Sequence, residues 1–555
     1  MDWYSQLSPI AKPVGEPTDR RRRHLYLMHK YWARKPWYLV RRCIEHYSRP
    51  GDVVLDPFCG SGVTPTEAWA TGRQGIGVDL NPFAVFLATQ TALAPADPER
   101  LRGLWARLEA AVAAGIIESY RLQSPCPYCG GTVYAEWTGR GPKWREEQYP
   151  VRPYCPRGCP RPGLRPLDQG EEETLAEFEA SQPVQEVVER YRAYPLYYPG
   201  GGRFDKKRRQ ESLADIFSPR NLWALDRFRA AIAEVTGITL PGADPGRPGH
   251  EADFLYLCLT SASHLVSKLR SPRTGHWAVN GLYVPGDWID ENVWLVLGKR
   301  FRRILTAKVI SGSVQGAPPP RLVRGSATDL SFLPPASVDY IFTDPPYGGS
   351  IQYGELSYLW NCLLGFTSDW EREIVVNDAQ GKDLEHYGQM LGQALAQCAR
   401  VLKPGHWMTV TFHNKDLRVW QQLLQEAAAV GLEPVAVGSQ RPLAQAYNQN
   451  WSRPAPKTDL VIDFVHRRLP RPVEEAVPES LNDLAIAAAS RLIARCGACS
   501  SQEVVDEVIG AWLRSGIWRR VADPPGILLE EVEAVLADTF KPLTAEGKRG
   551  IWIAT

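Results

Sequence analysis

A short run of β-branched residues that ends in a glycine turn constrains the fold of this chain more than any other feature. The run, Asp52 to Phe58, precedes Gly60 and Gly62 and then the stretch Val63 to Ala70, which suits a helix. A second apolar run, Gly75 to Leu80, follows at the distance expected for a strand, helix, strand unit. The segment therefore predicts two neighbouring parallel strands with a helix crossing between them.

The same alternation returns in the second half of the chain. Strand candidates lie at Arg321 to Arg324, Val338 to Thr343, Trp407 to Phe412, Pro434 to Gly438 and Leu460 to His466. Helical spacing marks Trp32 to Tyr47 upstream, and Tyr387 to Leu402 and Leu417 to Val430 downstream. Alternating strands and helices predict an α/β fold with a doubly wound, mostly parallel sheet.

The residues between the two halves predict an inserted module, because structureless loops longer than roughly 15 residues are uncommon in compact domains. Pro150 to Leu167 and Leu240 to His250 are rich in proline and glycine and mark loops or boundaries, and Glu171 to Arg192 suggests an exposed acidic helix. After about Pro470 the spacing predicts a small helical region. The expected units are residues 1–120 and 316–470 for the two core halves, 121–165 and 166–315 for the insertion, and 471–555 for the C-terminal region.

Composition excludes several classes of protein. Hydrophobic residues make up 44% of the chain and charged residues 23%, so neither disorder nor a fibrous repeat is indicated. No apolar run reaches the roughly 18 residues that span a bilayer, and Met1 to Ile10 lacks a signal-peptide pattern, so we expect a cytoplasmic protein. The net charge of +2 makes no general case for nucleic acid. Basic clusters at Arg20 to Arg23, Lys206 to Arg209 and Lys299 to Arg303 either contact phosphates or form solvated faces.

Two close pairs of cysteines predict a metal site. Cys126 and Cys129 form one pair, and Cys155 and Cys159 form the other. Four thiolates at this spacing suit a zinc ribbon, and the zinc would be structural because no coordination position stays open for water. The pair in Cys496 to Cys499 has no visible partners, so we expect no metal there.

Aromatic and basic residues of the insertion allow two interpretations. Those between the cysteine pairs, among them Trp137, suit nucleic-acid contacts, but the packing of a small domain explains them equally well. In the segment Phe217 to Leu222, Arg220 and Asn221 either reach nucleic acid or simply follow a helix cap made by Ser218. The sequence leaves both alternatives open.

The glycine turn predicts a nucleoside ligand rather than a phosphate cradle. A P-loop needs Lys followed by Ser or Thr after its second glycine, where this chain has Val63 and Thr64. Asp79, at the end of the second strand, can accept hydrogen bonds from a ribose, or it only caps the next helix. In the first case, the residues from Asn81 to Phe83 would line an adenine pocket.

A rigid acidic turn after an apolar strand predicts the chemistry. The run Asp339 to Tyr347 delivers Asp-Pro-Pro-Tyr to the carboxyl end of the sheet, where such folds bind ligands. An aromatic amine is a weak nucleophile because its lone pair is delocalised, so two acceptors for its protons favour the reactive form. Asp344 and the Pro345 carbonyl supply these acceptors. Pro345 and Pro346 rigidify the turn, and the Tyr347 ring can stack on a flipped base. The alternative is a rigid exposed turn without a catalytic role.

Taken together, these motifs resemble those of the amino-methylating DNA methyltransferases, which modify adenine N6 or cytosine N4. Asp56 to Gly62 is similar to the family's cofactor motif, and Asp344 to Tyr347 to its catalytic motif. His29 to Pro36 is similar to a segment that packs over the methionine end of the cofactor, and Ala327 to Asp329 to one that helps to hold the target base. The resemblance covers roughly residues 24–95 and 320–467.

The resemblance implies a Rossmann-like methyltransferase fold, direct methyl transfer and S-adenosylmethionine as the cofactor. It implies cofactor contacts by Lys35, Pro36, Asp56, Pro57, Phe58, Gly60, Gly62, Asp79, Leu80 and Asn81. It implies catalysis by Asp344, Pro345, Pro346 and Tyr347, and binding of the target base by Asp329 and Tyr347. DNA is the implied partner, and the protein would act alone or within a restriction or phage-defence assembly.

Several alternatives remain open. The Asp that begins the tetrapeptide favours adenine N6, because enzymes that modify cytosine N4 more often carry Ser there. RNA methyltransferases that act on guanine N2 or adenine N6 resemble the same motif, so RNA is the second substrate to consider. A non-catalytic nucleic-acid-binding subunit is the alternative from another class. The insertion precedes Ala327 to Asp329, whereas the family's recognition region usually follows it, so the resemblance does not imply that the insertion reads DNA.

Overall fold

The computed structural model describes residues 7–8, 21–92, 97–141, 144, 149–204, 210–240, 251–270, 282, 284–311, 319–414, 416–440, 459–467, 480–515, 517–519, 524, 528–542 and 551–553. Within these ranges, none of the helices combines the length and the apolar character needed to cross a membrane. The α-helices are α1 (Arg21–Tyr26), α2 (Trp37–Tyr47), α3 (Val63–Ala70), α4 (Pro82–Ala92), α5 (Pro98–Glu118), α6 (Gln169–Ala180), α7 (Gln182–Arg192), α8 (Pro219–Thr236), α9 (Glu251–Ser263), α10 (Val293–Ser311), α11 (Tyr353–Leu363), α12 (Leu384–Val401), α13 (Leu417–Ala429), α14 (Leu481–Cys496), α15 (Ser501–Ser515) and α16 (Leu528–Thr539). The β-strands are β1 (Val53–Asp56), β2 (Gln74–Asp79), β3 (Arg121–Leu122), β4 (Val133–Arg140), β5 (Pro150–Tyr154), β6 (Arg165–Pro166), β7 (Trp288–Glu291), β8 (Arg321–Arg324), β9 (Val338–Thr343), β10 (Leu402–Phe412), β11 (Leu432–Gln440), β12 (Asp459–His466), β13 (Cys499–Ser500), β14 (Lys541–Pro542) and β15 (Ile551–Ile553).

A seven-stranded sheet forms the centre of the fold, with its strands in the order β11-β12-β10-β9-β1-β2-β8. Neighbours from β10 to β8 run parallel, whereas β12 is antiparallel to both β10 and β11. The expected α/β fold with a doubly wound sheet is therefore present. The direction of strand succession reverses between β1 and β9, and ligands bind at such a switch point, beside the carboxyl ends of the strands.

The central strands are apolar because both of their faces are covered. All six residues of β9 are buried. Leu55 of β1 pairs with Ile76 of β2 on one side and with Ile341 of β9 on the other. An apolar run without alternation is typical of a parallel strand in this position. The predicted bounds of β8 and β9 match the structure, whereas β10 begins earlier than predicted, at Leu402.

The helix predicted from Trp32 to Tyr47 begins only at Trp37, so its predicted start was wrong. Pro36 precedes the first turn with φ −58° and ψ 120°. Inside a longer helix, its ring would clash with the carbonyl of Trp32, and it has no N–H to donate. The residues from 32 to 36 are consequently irregular, and several of them line the cavity described below.

The single exposed helix predicted from Glu171 to Arg192 is instead two helices, α6 and α7. They meet at Ser181, whose ψ of 148° is not helical. Pro183, at the start of α7, could not have occupied the interior of a continuous helix. The pair is also not fully exposed, since Leu175 and Val184 lie in the protein interior.

The insertion contains a second sheet, which two distant parts of the chain build together. Its strands lie in the order β3-β4-β5-β6, and β7 pairs with β4 in antiparallel register. Directly after β7, the side-chain amide of Asn292 donates to the Ala135 carbonyl at 3.0 Å. Val133 of this sheet and Leu222 of α8 belong to one hydrophobic cluster. Residues on both sides of the predicted boundary at 165 thus share a sheet and a core.

The C-terminal region contains a small sheet besides its helices. Its elements follow the order α14, β13, α15, α16, β14, β15, and the sheet order is β13-β15-β14. The third helix, α16, exposes the acidic residues Glu530, Glu531 and Asp538. Arg519 binds Glu433 of β11 at 2.7 Å and attaches this region to the core.

Glu67 of α3 joins the first three helices. Its carboxylate is fully buried and accepts hydrogen bonds from Arg22 at 2.9 Å, Tyr26 at 2.5 Å and Arg41 at 2.7 Å. Arg22 and Tyr26 belong to α1 and Arg41 to α2, so the segment between these helices is held at both ends.

Replacing Glu67 with Gln removes the buried negative charge but leaves both arginines in place. Breaking a buried ion pair in this way is strongly destabilising, so we expect Glu67→Gln to lower the free energy of unfolding by about 3 kcal/mol. Urea denaturation followed by circular dichroism measures the change. Glu45→Gln, at an exposed position of α2, is the matched control and should cost less than about 0.5 kcal/mol. Equal losses in the two variants would contradict the anchoring role of Glu67.

Candidate active site

One large cleft opens at the carboxyl edge of the central sheet. It encloses about 1160 Å³, including space open to solvent, and pockets for small molecules measure roughly 300 to 1,000 Å³. Its lining comes from the chain segments 31–35, 56–61, 79–82, 326–327, 344–354 and 368–375, each of which contributes some or all of its residues. The first, second and third of these segments belong to the predicted cofactor region, and the fifth includes the predicted catalytic turn.

The topology brings four aspartates to this edge. Asp56 and Asp79 end the neighbouring parallel strands β1 and β2, and Asp344 follows β9 on the other side of β1. Asp459 begins β12, which is antiparallel, so its first residue lies where the parallel strands end. The sequence analysis did not identify Asp459, because its position depends on the reversed direction of that strand.

The glycine turn holds the carboxylate of Asp79. The N–H of Gly60 donates to Oδ2 at 2.8 Å, and the N–H of Asn81 donates to Oδ1 at 2.9 Å. Gly60 has φ +48°, and a Cβ there would lie 2.9 Å from the ring of Tyr31. Burial raises the pKa of Asp79 to about 6. Pro57, Leu80 and Asn81 join these residues in the cleft lining.

Gly62 lies in the same turn but does not line the cleft. It precedes α3 with φ +79°, and a Cβ would lie 2.6 Å from Cβ of Ala88 in α4. Its role in the structure is close packing of two helices. Phe83, expected in an adenine pocket, is likewise buried, with its ring 4.5 Å from that of Trp360.

Asp56 supports the end of β1. Its Oδ1 accepts hydrogen bonds from the hydroxyl of Thr343 at 2.8 Å and from the N–H of Phe58 at 3.1 Å. Burial raises its pKa to about 7. Asp56 and Phe58 both line the cleft, and the bond to Thr343 connects the glycine turn directly to the strand that precedes Asp344.

Asp344 is surrounded by donors. The hydroxyl of Tyr347 donates to its Oδ1, and the hydroxyl of Thr411 donates to the same oxygen at 2.9 Å. The ammonium of Lys35 lies 3.3 Å from Oδ1. Burial raises the pKa of Asp344 to about 6, although Lys35 and the hydroxyls act in the opposite direction.

The two prolines of the turn differ in their surroundings. The Pro346 carbonyl accepts a hydrogen bond from the hydroxyl of Tyr387 at 2.6 Å. Among the described residues, none donates to the Pro345 carbonyl. Pro345 is buried and does not line the cleft, whereas Pro346 does. Pro36 is buried at the start of α2 and is also outside the cleft lining.

Two predicted base-binding residues are not in the cleft lining. The Tyr347 ring is buried and packs edge-to-face on Phe412, with centroids 5.2 Å apart. Asp329 is exposed, and its Oδ1 accepts the N–H of Ser331 at 3.1 Å. The structure thus separates Asp329 from the other predicted site residues.

Two aromatic rings of the cleft, Tyr353 and Trp370, come from positions that the sequence analysis did not single out. Tyr353 stacks on Tyr31 of the predicted cofactor region with centroids 6.4 Å apart, and Trp370 lies on a loop after α11. The ammonium of Lys382 holds this loop by donating to the carbonyls of Trp370 at 2.6 Å and Glu373 at 2.7 Å. Tyr353 and Trp370 have no motif of their own, so only their position identifies them.

The four cysteines of the insertion come together. The sulfur atoms of Cys126, Cys129, Cys155 and Cys159 all lie within 4.8 Å of one another, so the group could hold a metal ion. Each pair forms a tight turn: the Gly130 N–H donates to the Cys126 carbonyl at 2.9 Å, and the Gly158 N–H donates to the Cys155 carbonyl at 3.2 Å.

The polar residues at the start of α8 have structural partners. Asn221 is fully buried, and its amide donates to the carbonyls of Val266 and Glu291. Its N–H donates to the hydroxyl of Ser218 at 3.4 Å, which is the helix cap expected from the sequence. Arg220 is also buried, with its guanidinium 4.2 Å from the ring centroid of Tyr120. The capping interpretation is therefore confirmed.

The packing at Gly62 can be tested against a glycine with the same backbone conformation. Gly72 also has φ +79°, but a Cβ there would meet only Pro50, at 3.6 Å. Gly72→Ala should thus cost only the left-handed backbone strain, about 1 kcal/mol. Gly62→Ala should cost roughly 1 to 3 kcal/mol more, because the methyl group overlaps α4. Thermal unfolding of both variants measures the difference, and indistinguishable stabilities would rule out the packing role.

Comparison with known proteins adds evidence from sequence. Residues 3–90 match the family described as DNA methylase, in a model for N6 and N4 methyltransferases. The chain is 48% identical over 59 residues to the DNA adenine methyltransferase YhdJ of Escherichia coli (strain K12), covering 10% of this chain and 20% of that protein. It is 43% identical over 58 residues to the Type II methyltransferase M.Cfr9I of Citrobacter freundii, covering 10% and 19%.

The similarity extends to an archaeal protein. The chain is 30% identical over 82 residues to the Type II methyltransferase M.MjaII of Methanocaldococcus jannaschii, covering 15% of each protein. These matches span a fifth or less of each relative's length. A solved structure, the 16S rRNA (adenine(1408)-N(1))-methyltransferase from Catenulisporales acidiphilia, aligns with 28% of this chain and 66% of its own. The sequence identity is 17%, and the TM-score of 0.17 is too low to indicate a common fold. The similarity to the amino-methylating DNA methyltransferases thus lies in the segment that builds the glycine turn and the Asp79 cradle, which is the Asp79 carboxylate with the N–H groups of Gly60 and Asn81 that bind it.

Proposed function

We propose that this protein transfers a methyl group from S-adenosylmethionine to an exocyclic amine of a DNA base, with adenine N6 as the preferred target. One observation carries the proposal: a single cleft contains both the Asp79 cradle, which suits a nucleoside, and Asp344 with its rigid proline turn. The similarity of residues 3–90 to DNA methylases supports the same reaction.

The cofactor side of the cleft fits an adenosyl group. The carboxylate of Asp79 is held in place by two backbone N–H groups and faces the cleft, where it can accept the hydroxyls of a ribose. Gly60 allows the turn to pack closely against Tyr31, since any side chain at this position would displace that ring. When bound, S-adenosylmethionine would supply an electrophilic methyl group and leave as S-adenosylhomocysteine, and the methylated amine would lose one proton to water. The chain's own contribution is to hold the amine in line with that methyl.

Asp344 is suited to activate the amine. An ionised carboxylate and the Pro345 carbonyl can accept both N–H groups of an exocyclic amine, which frees its lone pair from the ring. Asp344 performs this role only when it is ionised, and its pKa of about 6 leaves it ionised at neutral pH. The half-exposed rings of Tyr353 and Trp370 line the cleft and support contact with the base.

The decisive assay is methyl transfer from labelled S-adenosylmethionine to duplex DNA and, separately, to total RNA, followed by nucleoside analysis. N6-methyladenine in DNA is the expected product. N4-methylcytosine would correct the base, and label only in RNA would correct the substrate. Absence of label in both would contradict the proposed reaction and favour a role restricted to nucleic-acid binding.

The role of Asp344 predicts a separation of chemistry from cofactor binding. Asp344→Ala should lower turnover by about a hundredfold or more, because the amine loses a positioned acceptor. Calorimetry should find its affinity for S-adenosylmethionine within about threefold of the natural protein, since the Asp79 cradle is intact. Asp378→Ala, at an exposed position, is the control and should keep full activity. Undiminished turnover in Asp344→Ala would remove Asp344 from the mechanism.

We further propose that residues 121–165 form a ribbon whose four cysteines bind one structural zinc ion. Four thiol ligands of this spacing support tetrahedral zinc without an open position. Cys126→Ser should release the metal and lower the melting temperature, because structural zinc binding is coupled to folding. Cys496→Ser changes an exposed cysteine outside the cluster and should retain both properties. Elemental analysis of the two variants tests the site, and equal zinc contents would argue against it.

A further inference from the structure

The buried ammonium of Lys35 connects three distant parts of the chain at the catalytic turn. It donates to the hydroxyl of Tyr347 at 2.5 Å and to Oδ2 of Asp459 at 2.8 Å, and it lies 3.3 Å from Oδ1 of Asp344. Its side chain is only 7% exposed. The sequence analysis assigned Lys35 to the cofactor, but its contacts are with catalytic residues.

Among the described residues, the donors to Asp344 converge on one oxygen. Tyr347 and Thr411 donate to Oδ1, and the Lys35 ammonium lies beside the same atom. Within the described part of the chain, no group donates to Oδ2. A carboxylate held this way has one oxygen engaged by the protein and one available to a ligand in the cleft.

From these contacts we infer that Lys35, Tyr347 and Thr411 form a clamp on Oδ1 of Asp344, which directs Oδ2 to the amine of the target base. The inference rests on the proposed methyl transfer and gives Tyr347 a role other than stacking. Its hydroxyl accepts a hydrogen bond from Lys35 and donates one to Asp344, so it links the lysine to the carboxylate.

Asp459 holds the lysine of this clamp. Its Oδ2 binds Lys35, and its Oδ1 lies 3.4 Å from Nδ1 of His413. Burial disfavours the charge on Asp459, but Lys35 and His413 outweigh it and lower its pKa well below the usual range. Asp459 therefore stays ionised and keeps Lys35 charged and in place. Lys35 and Asp459 are positioning residues, since neither is required to touch the amine.

The clamp also controls the charge of Asp344. The titratable groups that act on this site from the surrounding elements are Lys35, Asp56, Tyr347, Tyr353, His413 and Asp459. Of these, Lys35 is the cation nearest to Asp344. Without Lys35, burial and the neighbouring carboxylates would favour the protonated form of Asp344. In that form, one carboxyl oxygen carries a proton and no longer accepts a hydrogen bond from the amine.

The sharpest test is Tyr347→Phe, which keeps the ring but removes the hydroxyl. If the clamp operates, kcat falls by about tenfold to a hundredfold, and the acidic limb of the pH profile moves about one pH unit higher. If Tyr347 acts only through its ring, kcat and the profile stay unchanged, and the clamp is refuted. Thr411→Val is the matched variant for the second hydroxyl. It should also lower kcat and move the acidic limb of the pH profile higher.

Variants of the lysine test its charge. Lys35→Met should reduce kcat and shift the pH profile as Tyr347→Phe does, and Lys35→Arg should restore part of the activity. Melting temperature and S-adenosylmethionine affinity are measured for each variant, so that an unfolded protein is recognised. If Lys35→Met instead lost only cofactor affinity at unchanged kcat, Lys35 would be a cofactor ligand and the clamp would be wrong.

A measurement independent of turnover separates this inference from the proposed reaction. Carbon-13 NMR of aspartate-labelled protein, with the Asp344 signal assigned from Asp344→Asn, reports the titration of Asp344 directly. The clamp predicts a higher titration midpoint in Tyr347→Phe and Lys35→Met than in the natural protein. An unshifted midpoint in both would refute the clamp even if methyl transfer is established. If no transfer occurs but the midpoint shifts, only the proposed function fails.

Discussion

The parallel pairing of β1 with β2 on one side and β9 on the other is the constraint on which the rest of the structure depends. It places the carboxyl ends of three neighbouring strands at one edge, and each end carries an aspartate: Asp79, Asp56 or Asp344. Because β9 is buried on both faces, the proline turn that follows it starts from a rigid base. The cleft is thus a direct consequence of strand order, and the hydrogen bond from Thr343 to Asp56 ties its two halves together.

Gathering carboxylates at one buried edge is electrostatically unfavourable unless cations and donors are provided. The chain provides them from outside the sheet core: backbone N–H groups bind Asp79, and Lys35 lies between Asp344 and Asp459. Lys35 belongs to the irregular residues before α2, which Glu67 holds through contacts with α1 and α2. Each of these two buried groups has its own partners: Lys35 contacts Asp344 and Asp459, and Glu67 contacts Arg22 and Arg41. Buried charges are tolerated only when they are paired in this way.

The insertion is built into the fold rather than attached to it. Its small sheet is completed by β7, and its core is continuous with helices that reach the central domain. Tyr198 of the insertion packs edge-on against Trp370, 5.1 Å between centroids, and its hydroxyl accepts a hydrogen bond from Asn377 at 2.7 Å. The segment that carries Trp370 at the cleft is thereby supported by residues distant in sequence. The four cysteines lie in the same insertion.

Local patterns were sufficient for the strands of the central sheet, the glycine turn and the two cysteine pairs, because each depends on residues close together in sequence. Local patterns failed for the strands of the two smaller sheets, where a proline delayed the start of a helix or divided a helix in two, and where a contact joined distant segments. The sequence by itself determined that an α/β sheet would carry Asp79 and Asp344 at one edge. Only the tertiary structure decided that Gly62 packs against α4, that the Tyr347 ring packs on Phe412, and that Lys35 and Asp459 meet beside Asp344. The physical reason is that these contacts depend on strand direction and helix packing, which no short stretch of sequence encodes.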